Sequence, residues 1–303
     1  MAFIYAVSDI HGYLQSLDEA LSLIDLDSDH NNKLVFCGDY IDYGPESCST
    51  LYRIKELSEK YPNQVITLVG NHEYMFLEFL GAKNIDITNA FVVGGNYDFW
   101  LSEEDSVYDS YQPLRGKNGD IEWLGNDKDF VTVNSFISVS SKEKLTQLRV
   151  KNNYKEYLFR ASQVIKEDIL TNHSALIEWL KRQPLYYETE QQIYVHAGLD
   201  EEAEEYWKIG TPDEYFLCKY PATFGKFHKD IIAGHISTSS LSGDPGFHSV
   251  FWDGENHFYI DGETNVSGFL PVLKYDKLTS EYTSFNRKVL ENGEIRWEEY
   301  LIR

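Results

Sequence analysis

Basic residues are scarce in this 303-residue chain: 27 Lys and Arg stand against 49 Asp and Glu, for a formal net charge of −22. A surface of that sign repels nucleic-acid backbones and anionic headgroups at long range, so neither nucleic acid nor membrane is an expected partner. An anionic substrate stays open, because a bound cation dominates the field inside its own site. Cysteine is also rare. Cys37, Cys48 and Cys218 are too few and too scattered for a disulfide framework or a zinc knuckle, and Cys37 sits in an apolar run that reads as core. A reducing compartment fits that usage. The opening MAFIYAVSD has no basic flank and too short an apolar run for a signal peptide, and no stretch approaches the length of a membrane span. The cytoplasm is the expected location. What the chain does have is aromatic and aliphatic bulk: 42% apolar residues, 15% aromatic and 22 Tyr, enough for a sizeable core and against disorder.

Short greasy runs alternate with amphipathic ones at the start. Phe3–Val7 ends in Ser8-Asp9, and Leu14, Leu17, Leu21 and Ile24 follow at helical spacing, predicting a helix from Tyr13 to about Asp25. Lys33–Cys37 is a second strand, Leu51, Ile54 and Leu57 mark a helix that stops before Pro62, Gln64–Val69 is a third strand, and Glu73–Leu80 a helix. Three strand–helix alternations predict an α/β fold with a parallel, doubly wound sheet at this end. The alternation is lost between about 81 and 190, where Gly94-Gly95, a polar stretch 102–130 and two helical patterns at 154–170 and 173–182 read as a mostly helical insertion. Strands return at Gln192–Ala197 and Asp230–Ala233. Ser249–Trp252, Phe258–Asp261 and Val272–Tyr275, spaced by turn residues, look antiparallel. Asn292-Gly293 then predicts a β-hairpin.

Polar residues gather where the greasy runs end, five times over: Asp9 and His11 in SDIHG, Asp39 and Asp42 in GDYIDYG, Asn71, His72 and Glu73 in GNHE, His196 in VHAG, and His235 in IAGH. Alone, an Asp at a strand end reads as a helix cap and a His after an apolar run as a hydrogen-bonded core residue. Five such clusters on successive strands read differently, because the C-terminal edge of an α/β sheet is where ligands bind. Oxygen and imidazole donors suit Mn²⁺, Fe or Zn²⁺ better than Ca²⁺ or a thiophilic metal. Asp9 and His11, two apart in extended backbone, would point the same way.

In this order the five clusters resemble the calcineurin-like metallophosphoesterases. Within them they are most similar to the branch of phosphoprotein phosphatases and symmetrical diadenosine-tetraphosphate hydrolases, marked by GDxHG, GDxVDRG, GNHE, H(G/A)G and GH. YIDGE at 259–263 and the stretch from Ile177 to Leu199 resemble family segments too, and the likeness covers about 1–275 with the insertion only loosely matched. The resemblance implies a four-layer sandwich of two mixed β-sheets flanked by helices. It implies one domain over 1–303, interrupted by the helical insertion at about 81–190 and ending in a β-hairpin at about 282–303. It also implies two divalent metal ions, manganese first with iron or zinc as alternatives. Asp9, His11 and Asp39 would hold one, and Asp39 would bridge to a second held by Asn71, His196 and His235. A hydroxide between the ions would be the nucleophile, His72 the general acid, and Asp42 the carboxylate that orients it. The activity implied is a phosphomonoesterase of the serine/threonine protein phosphatase type acting on a phosphoprotein or small phosphoester. The alternatives are a dinucleoside polyphosphate hydrolase and, in another class, an impaired metal-binding regulatory protein.

Two positions depart from the family pattern. Tyr43 stands where the family carries an arginine that grips substrate phosphate with two prongs, and a tyrosine offers one neutral hydrogen bond at most. A second family arginine is matched here by Lys219 in Leu217-Cys218-Lys219, which keeps the charge and loses the fork. Tyr97, Phe99, Trp100, Tyr108 and Tyr111 in the insertion read as core rather than substrate groove. His173, at the start of a helix, reads as a cap or surface residue.

Overall fold

Phe3–Val7 (β1) buries both of its faces, and its side chains alternate between two cores. Ile4 and Ala6 join one apolar cluster, and Tyr5 and Val7 another. That double burial is what the period-2 geometry of a strand inside a layered fold requires. A computed structural model describes residues 2–82, 121–290 and 293–303. From β1 the chain runs through Leu14–Leu21 (α1), Lys33–Phe36 (β2), Ser47–Lys60 (α2), Val65–Thr67 (β3) and Asn71–Leu80 (α3). Then follow Glu122–Asn126 (α4), Val131–Phe136 (α5), Val139–Lys151 (α6), Tyr154–Asn172 (α7) and Ser174–Leu180 (α8). The second half holds Tyr186–Glu188 (β4), Gln192–Val195 (β5), Trp207–Gly210 (α9), Asp213–Cys218 (α10) and Asp230–Ser237 (β6). It ends with Thr238–Ser242 (α11), Phe251–Trp252 (β7), His257–Asp261 (β8), Thr264–Ser267 (α12), Leu273–Asp276 (β9), Tyr282–Val289 (β10) and Ile295–Leu301 (β11).

Among the described residues these strands form two mixed sheets, ordered β11-β10-β9-β1-β2-β3 and β4-β5-β6-β8-β7. β1, β2 and β3 are parallel, as the sequence predicts, and so are β5, β6 and β8. The strand ends that carry the five polar clusters are shared between the two sheets, as the resemblance implies. The expectation for the later strands is corrected. The strands after β6 do not form an antiparallel set of their own, since β8 runs parallel to β6 and only β7 pairs with it antiparallel. β9 leaves for the other sheet, where it lies antiparallel to β1. The expected hairpin is present as β10 and β11, with Gly293 at φ 82 in its turn and Asn292 outside the described residues. The five insertion aromatics also lie outside them.

The layers follow from where the apolar faces go. Ile4, Ala6 and Val35 of one sheet meet Tyr194, Ile232 and Phe258 of the other, forming the core between the sheets. The opposite face of the first sheet is covered by α1, α2, α3, α7 and α8 through Leu17, Leu51, Phe76, Ile165 and Leu176. The opposite face of the second packs on Leu199, Trp207 and Phe216. The result is a four-layer sandwich, and among the described residues no helix is long and apolar enough to cross a membrane.

A polar seam ties the two sheets at one end. Asp230, at the start of β6, accepts from the Tyr282 hydroxyl of β10 at 2.8 Å and from the Arg303 guanidinium through both nitrogens. That guanidinium lies 4.8 Å from the Tyr282 ring centroid and 5.2 Å from that of Phe258, so it is gripped by aromatic residues of both sheets.

Candidate metal centre and proton donor

Beyond β1 and β2 the chain makes two loops that run side by side. Asp9 N–H donates to the Gly38 carbonyl (3.0 Å), His11 N–H to that of Asp39 (3.0 Å) and Gly12 N–H to that of Tyr40 (2.7 Å). To keep this ladder while turning their side chains inward, Asp9, His11, Asp39, Asp42, Tyr43 and, on β6, His235 all adopt φ between 51 and 72. Left-handed backbone costs a non-glycine residue roughly 1–3 kcal/mol, and such residues cluster where geometry serves chemistry. The loops also need glycine neighbours. A Cβ on Gly70 would sit 2.1 Å from an Asp39 carboxylate oxygen, and one on Gly234 would sit 2.1 Å from Asp9 Oδ2.

Glu73 sets the shape of the second loop. Its buried carboxylate accepts from the backbone N–H groups of Tyr40 (2.7 Å), Asp39 (2.8 Å), Gly70 (3.1 Å) and Ile41 (3.2 Å). Burial and the Asp39 carboxylate push Glu73 up to about 7 against those donors. Sequence reading placed Glu73 in the GNHE motif without a task; here it is the peg on which the Asp39 turn hangs.

The histidines are aimed by backbone carbonyls. His11 Nδ1 bonds the Ile41 carbonyl at 2.8 Å and His196 Nδ1 that of Cys37 at 2.9 Å, which turns each Nε2 inward. Donor atoms of His11, Asp39 and His72 lie within 4.8 Å of one another, and so do those of Asp39, His196 and His235. Asp39 is common to both groups. Asn71 Oδ1 lies 2.8 Å from His196 Nε2, at the second group. Asp9 Oδ1 stands 3.9 Å from His11 Nε2, and the Asp9 carboxylate also accepts the His235 N–H. All six expected ligands therefore converge, although they span more than 220 positions.

The electrostatics of this cluster fit a cation. Asp9 and Asp39 are almost wholly buried, and among the described residues their ion-pair partners are histidines alone. Burial, with the nearby Asp261 carboxylate, raises Asp9 well above the usual carboxylate range. Burial opposes charge on Asp39 too, yet His196 and His72 hold it low. The converse appears on the rings. Burial and His72 push His11 down to about 4, and burial and His196 push His235 down to about 3, leaving both as neutral donors. Burial also disfavours charge on His196, but Asp39 outweighs it and lifts the ring to about 9. Buried carboxylates without Lys or Arg need positive charge, and here it can come from imidazolium or from metal. Asp261, pushed up to about 6 by burial, is a further buried acid at this edge, inside a YIDGE segment to which sequence reading gave no role.

Beside the cluster, His72 Nδ1 lies 2.6 Å from Asp42 Oδ2, and its Nε2 is 3.8 Å from Asp39 Oδ2. Burial alone would discharge this ring; Asp39 and Asp42 overcome it and raise His72 to about 10. Asp42 has further partners that sequence reading missed. The Trp123 indole N–H donates to Oδ2 at 3.0 Å and the Thr132 hydroxyl to Oδ1 at 2.7 Å.

A family model of the calcineurin-like phosphoesterases matches residues 4–239. The chain belongs to that family. The two donor groups are the candidate metal site of this family member. Its relatives are distant. A symmetrical bis(5'-nucleosyl)-tetraphosphatase of Nitrosospira multiformis is 36% identical over 74 residues, covering 24% of this chain and 25% of that protein. A protein phosphatase 2A catalytic subunit of Dictyostelium discoideum is 27% identical over 199 residues, covering 54% of this chain and 63% of that one. The chain thus spans less than two thirds of the curated relatives it matches. A solved cold-active protein tyrosine phosphatase superposes with a TM-score of 0.51 at 14% identity, over 97% of this chain and 78% of that one, a likeness of fold.

Two side chains of this phosphoesterase were expected at the substrate. Tyr43 is 59% exposed, with its ring edge-on to His11 (4.8 Å between centroids) and His72 (5.4 Å), so it stands beside the first donor group. Lys219 Nζ donates to the Leu199 carbonyl and pairs with Glu201 at 3.1 Å, which in turn holds His257 at 3.0 Å. Its stem covers Gly198, two residues from His196. The ammonium expected on phosphate is thus ion-paired to a carboxylate. His173 is no cap. It bonds the Tyr52 hydroxyl at 3.0 Å and the Phe136 carbonyl at 2.9 Å, joining α2 to α5.

Proposed function

We propose that this phosphoesterase is a phosphomonoesterase of the protein-phosphatase type, acting on phosphoserine or phosphothreonine, and on phosphotyrosine next. Asp9, His11 and Asp39 would hold one divalent ion, and Asp39, Asn71, His196 and His235 a second. Manganese is the metal we favour for these oxygen and imidazole donors, with iron or zinc as alternatives. When bound, such a pair activates water near neutral pH and neutralises charge on the phosphoryl oxygens.

The chain's own contribution is the proton. Asp42 takes the Nδ1 hydrogen of His72, so Nε2 is the atom left to protonate the departing oxygen, and the carboxylates around the ring keep it charged at neutral pH. The single observation that carries the reading is this pair at 2.6 Å, set against a donor cluster that shares Asp39. Tyr43, facing His11 and His72, would offer phosphate one neutral hydrogen bond, so the metals must carry most of the grip. Lys219 would reach phosphate only by leaving Glu201.

The rival substrate, a dinucleoside polyphosphate, uses the same metal site, and one distant relative bears that activity in its name. The surface charge of −22 weighs mildly against a polyanionic nucleotide. The test is turnover of a phosphoserine peptide and of diadenosine tetraphosphate by metal-stripped protein, with Mn²⁺, Fe²⁺ or Zn²⁺ restored. We expect metal-dependent release of phosphate from the peptide, falling by roughly 10²–10⁴-fold in His72→Asn. Faster cleavage of the dinucleotide would reverse the substrate order. Metal binding without turnover of either would make the chain a regulatory metal-binding protein.

A further inference from the structure

We infer that Trp123 and Thr132 are positioning residues for proton transfer: from α4 and α5 they fix the plane of the Asp42 carboxylate, and through it the ring of His72. The inference rests on His72 acting as the proton donor. A carboxylate that receives only one hydrogen bond can rotate about its own axis, and an imidazole bonded to it rotates with it. Asp42 is not left that freedom. Oδ2 takes the His72 ring N–H at 2.6 Å and the Trp123 indole N–H at 3.0 Å, while Oδ1 takes the Thr132 hydroxyl at 2.7 Å. With both oxygens occupied the plane is set. On the backbone side, Asp42 N–H donates to the Ser47 hydroxyl at 3.1 Å.

The two donors are themselves braced. The Trp123 ring lies 5.1 Å from Phe76 and 4.9 Å from Phe79, both on α3, the helix whose second residue is His72. The indole therefore touches the acid's partner and the acid's own helix. Thr132 is fully buried in the first turn of α5. There Asp127 accepts the Thr132 N–H at 3.0 Å and the Val133 N–H at 2.9 Å, capping the helix and locking the hydroxyl's approach. Both donors are neutral, so they orient Asp42 while leaving its charge to the imidazole.

A proton donor matters in proportion to how poorly the leaving group departs alone. An alkoxide such as that of serine needs the proton, and p-nitrophenolate leaves without one at neutral pH. The experiment compares kcat on a phosphoserine peptide with kcat on p-nitrophenyl phosphate in the Mn²⁺-loaded full chain. The proteins are the wild type, Thr132→Val, Trp123→Phe, Thr132→Ser and His72→Asn. In Thr132→Val and Trp123→Phe the peptide-to-nitrophenyl ratio of kcat is expected to fall roughly 10–100-fold, the usual cost of losing a supporting hydrogen bond, with metal content unchanged. Thr132→Ser, which keeps the hydroxyl, should restore the ratio. Equal losses on both substrates, or no loss on either, would overturn the inference, since a merely structural role does not sort leaving groups. If Thr132→Val does not fold, Trp123→Phe decides alone. His72→Asn separates the two readings. If its ratio falls while those of the positioning variants hold, only this inference fails. If its own ratio holds, the proton-donor reading fails first.

Discussion

Asp39 and Asp42 leave the same turn three residues apart, yet they are held by different parts of the molecule. Asp39 belongs to the strand-end loops. Its neighbours His196 and His72 come from short motifs, and its backbone hangs on Glu73. Asp42 is held by the helical segment, through Trp123 and Thr132, which lie 81 and 90 positions further along the chain. The first region builds a cage by bending its own backbone at the ligand positions; the second delivers two donors from helices, and its left-handed residues, Asp129 and Phe130, lie in the turn before α5 and not at the donors themselves. The proposed metal cage and the proposed proton donor thus lean on partly different scaffolds, and each should fail in its own way.

The largest blow falls on the shared ligand. Asp39→Asn should lower kcat/KM by about 10³-fold or more, because the metals supply several kcal/mol of charge stabilisation. Metal content measured on the same protein should drop below two ions per chain, and a variant that kept both ions and full activity would remove Asp39 from the cage. A smaller effect is expected one layer out. Glu73→Gln sets an amide N–H₂ against backbone N–H groups that now meet a carboxylate oxygen, which should loosen the Asp39 turn and weaken Mn²⁺ binding roughly 10–100-fold. Calorimetric titration reads this, and unchanged affinity would mean the loop keeps its shape unaided. The smallest effect lies at the rim. Tyr43→Arg should tighten inhibition by free phosphate about tenfold, the gain of roughly 1.4 kcal/mol expected from a charged two-pronged contact. If the inhibition constant stays put, position 43 does not look onto the phosphate.

The same division explains what could be read in advance. Ligand sets held by a tight backbone path leave local patterns, so Asp9-x-His11 and Asn71-His72-Glu73 are visible as short words between a greasy run and a helix. The strands are visible because both their faces are buried. What joins distant segments leaves no such trace. Trp123 looks like any core aromatic and Thr132 like any helical threonine until the fold brings them to Asp42. Sheet membership was likewise hidden: nothing in Val272–Tyr275 says that the strand pairs with β1 instead of β8. α6 escaped because it buries only Ser141 and Leu145 and so has no apolar stripe to betray it.

The seam of Arg303, Asp230 and Tyr282 has a bearing on how far apart the donors stand. Asp230 opens β6 and His235 lies near its other end. Asp9 and Asp39 come from one block of the sandwich, His196 and His235 from the other, so the gap between donors is the distance between two jaws of a vice. Its setting is fixed by every contact that clamps the blocks together. If the proposed metal pair sits between the jaws, its spacing would be set in part by residues that never meet a metal.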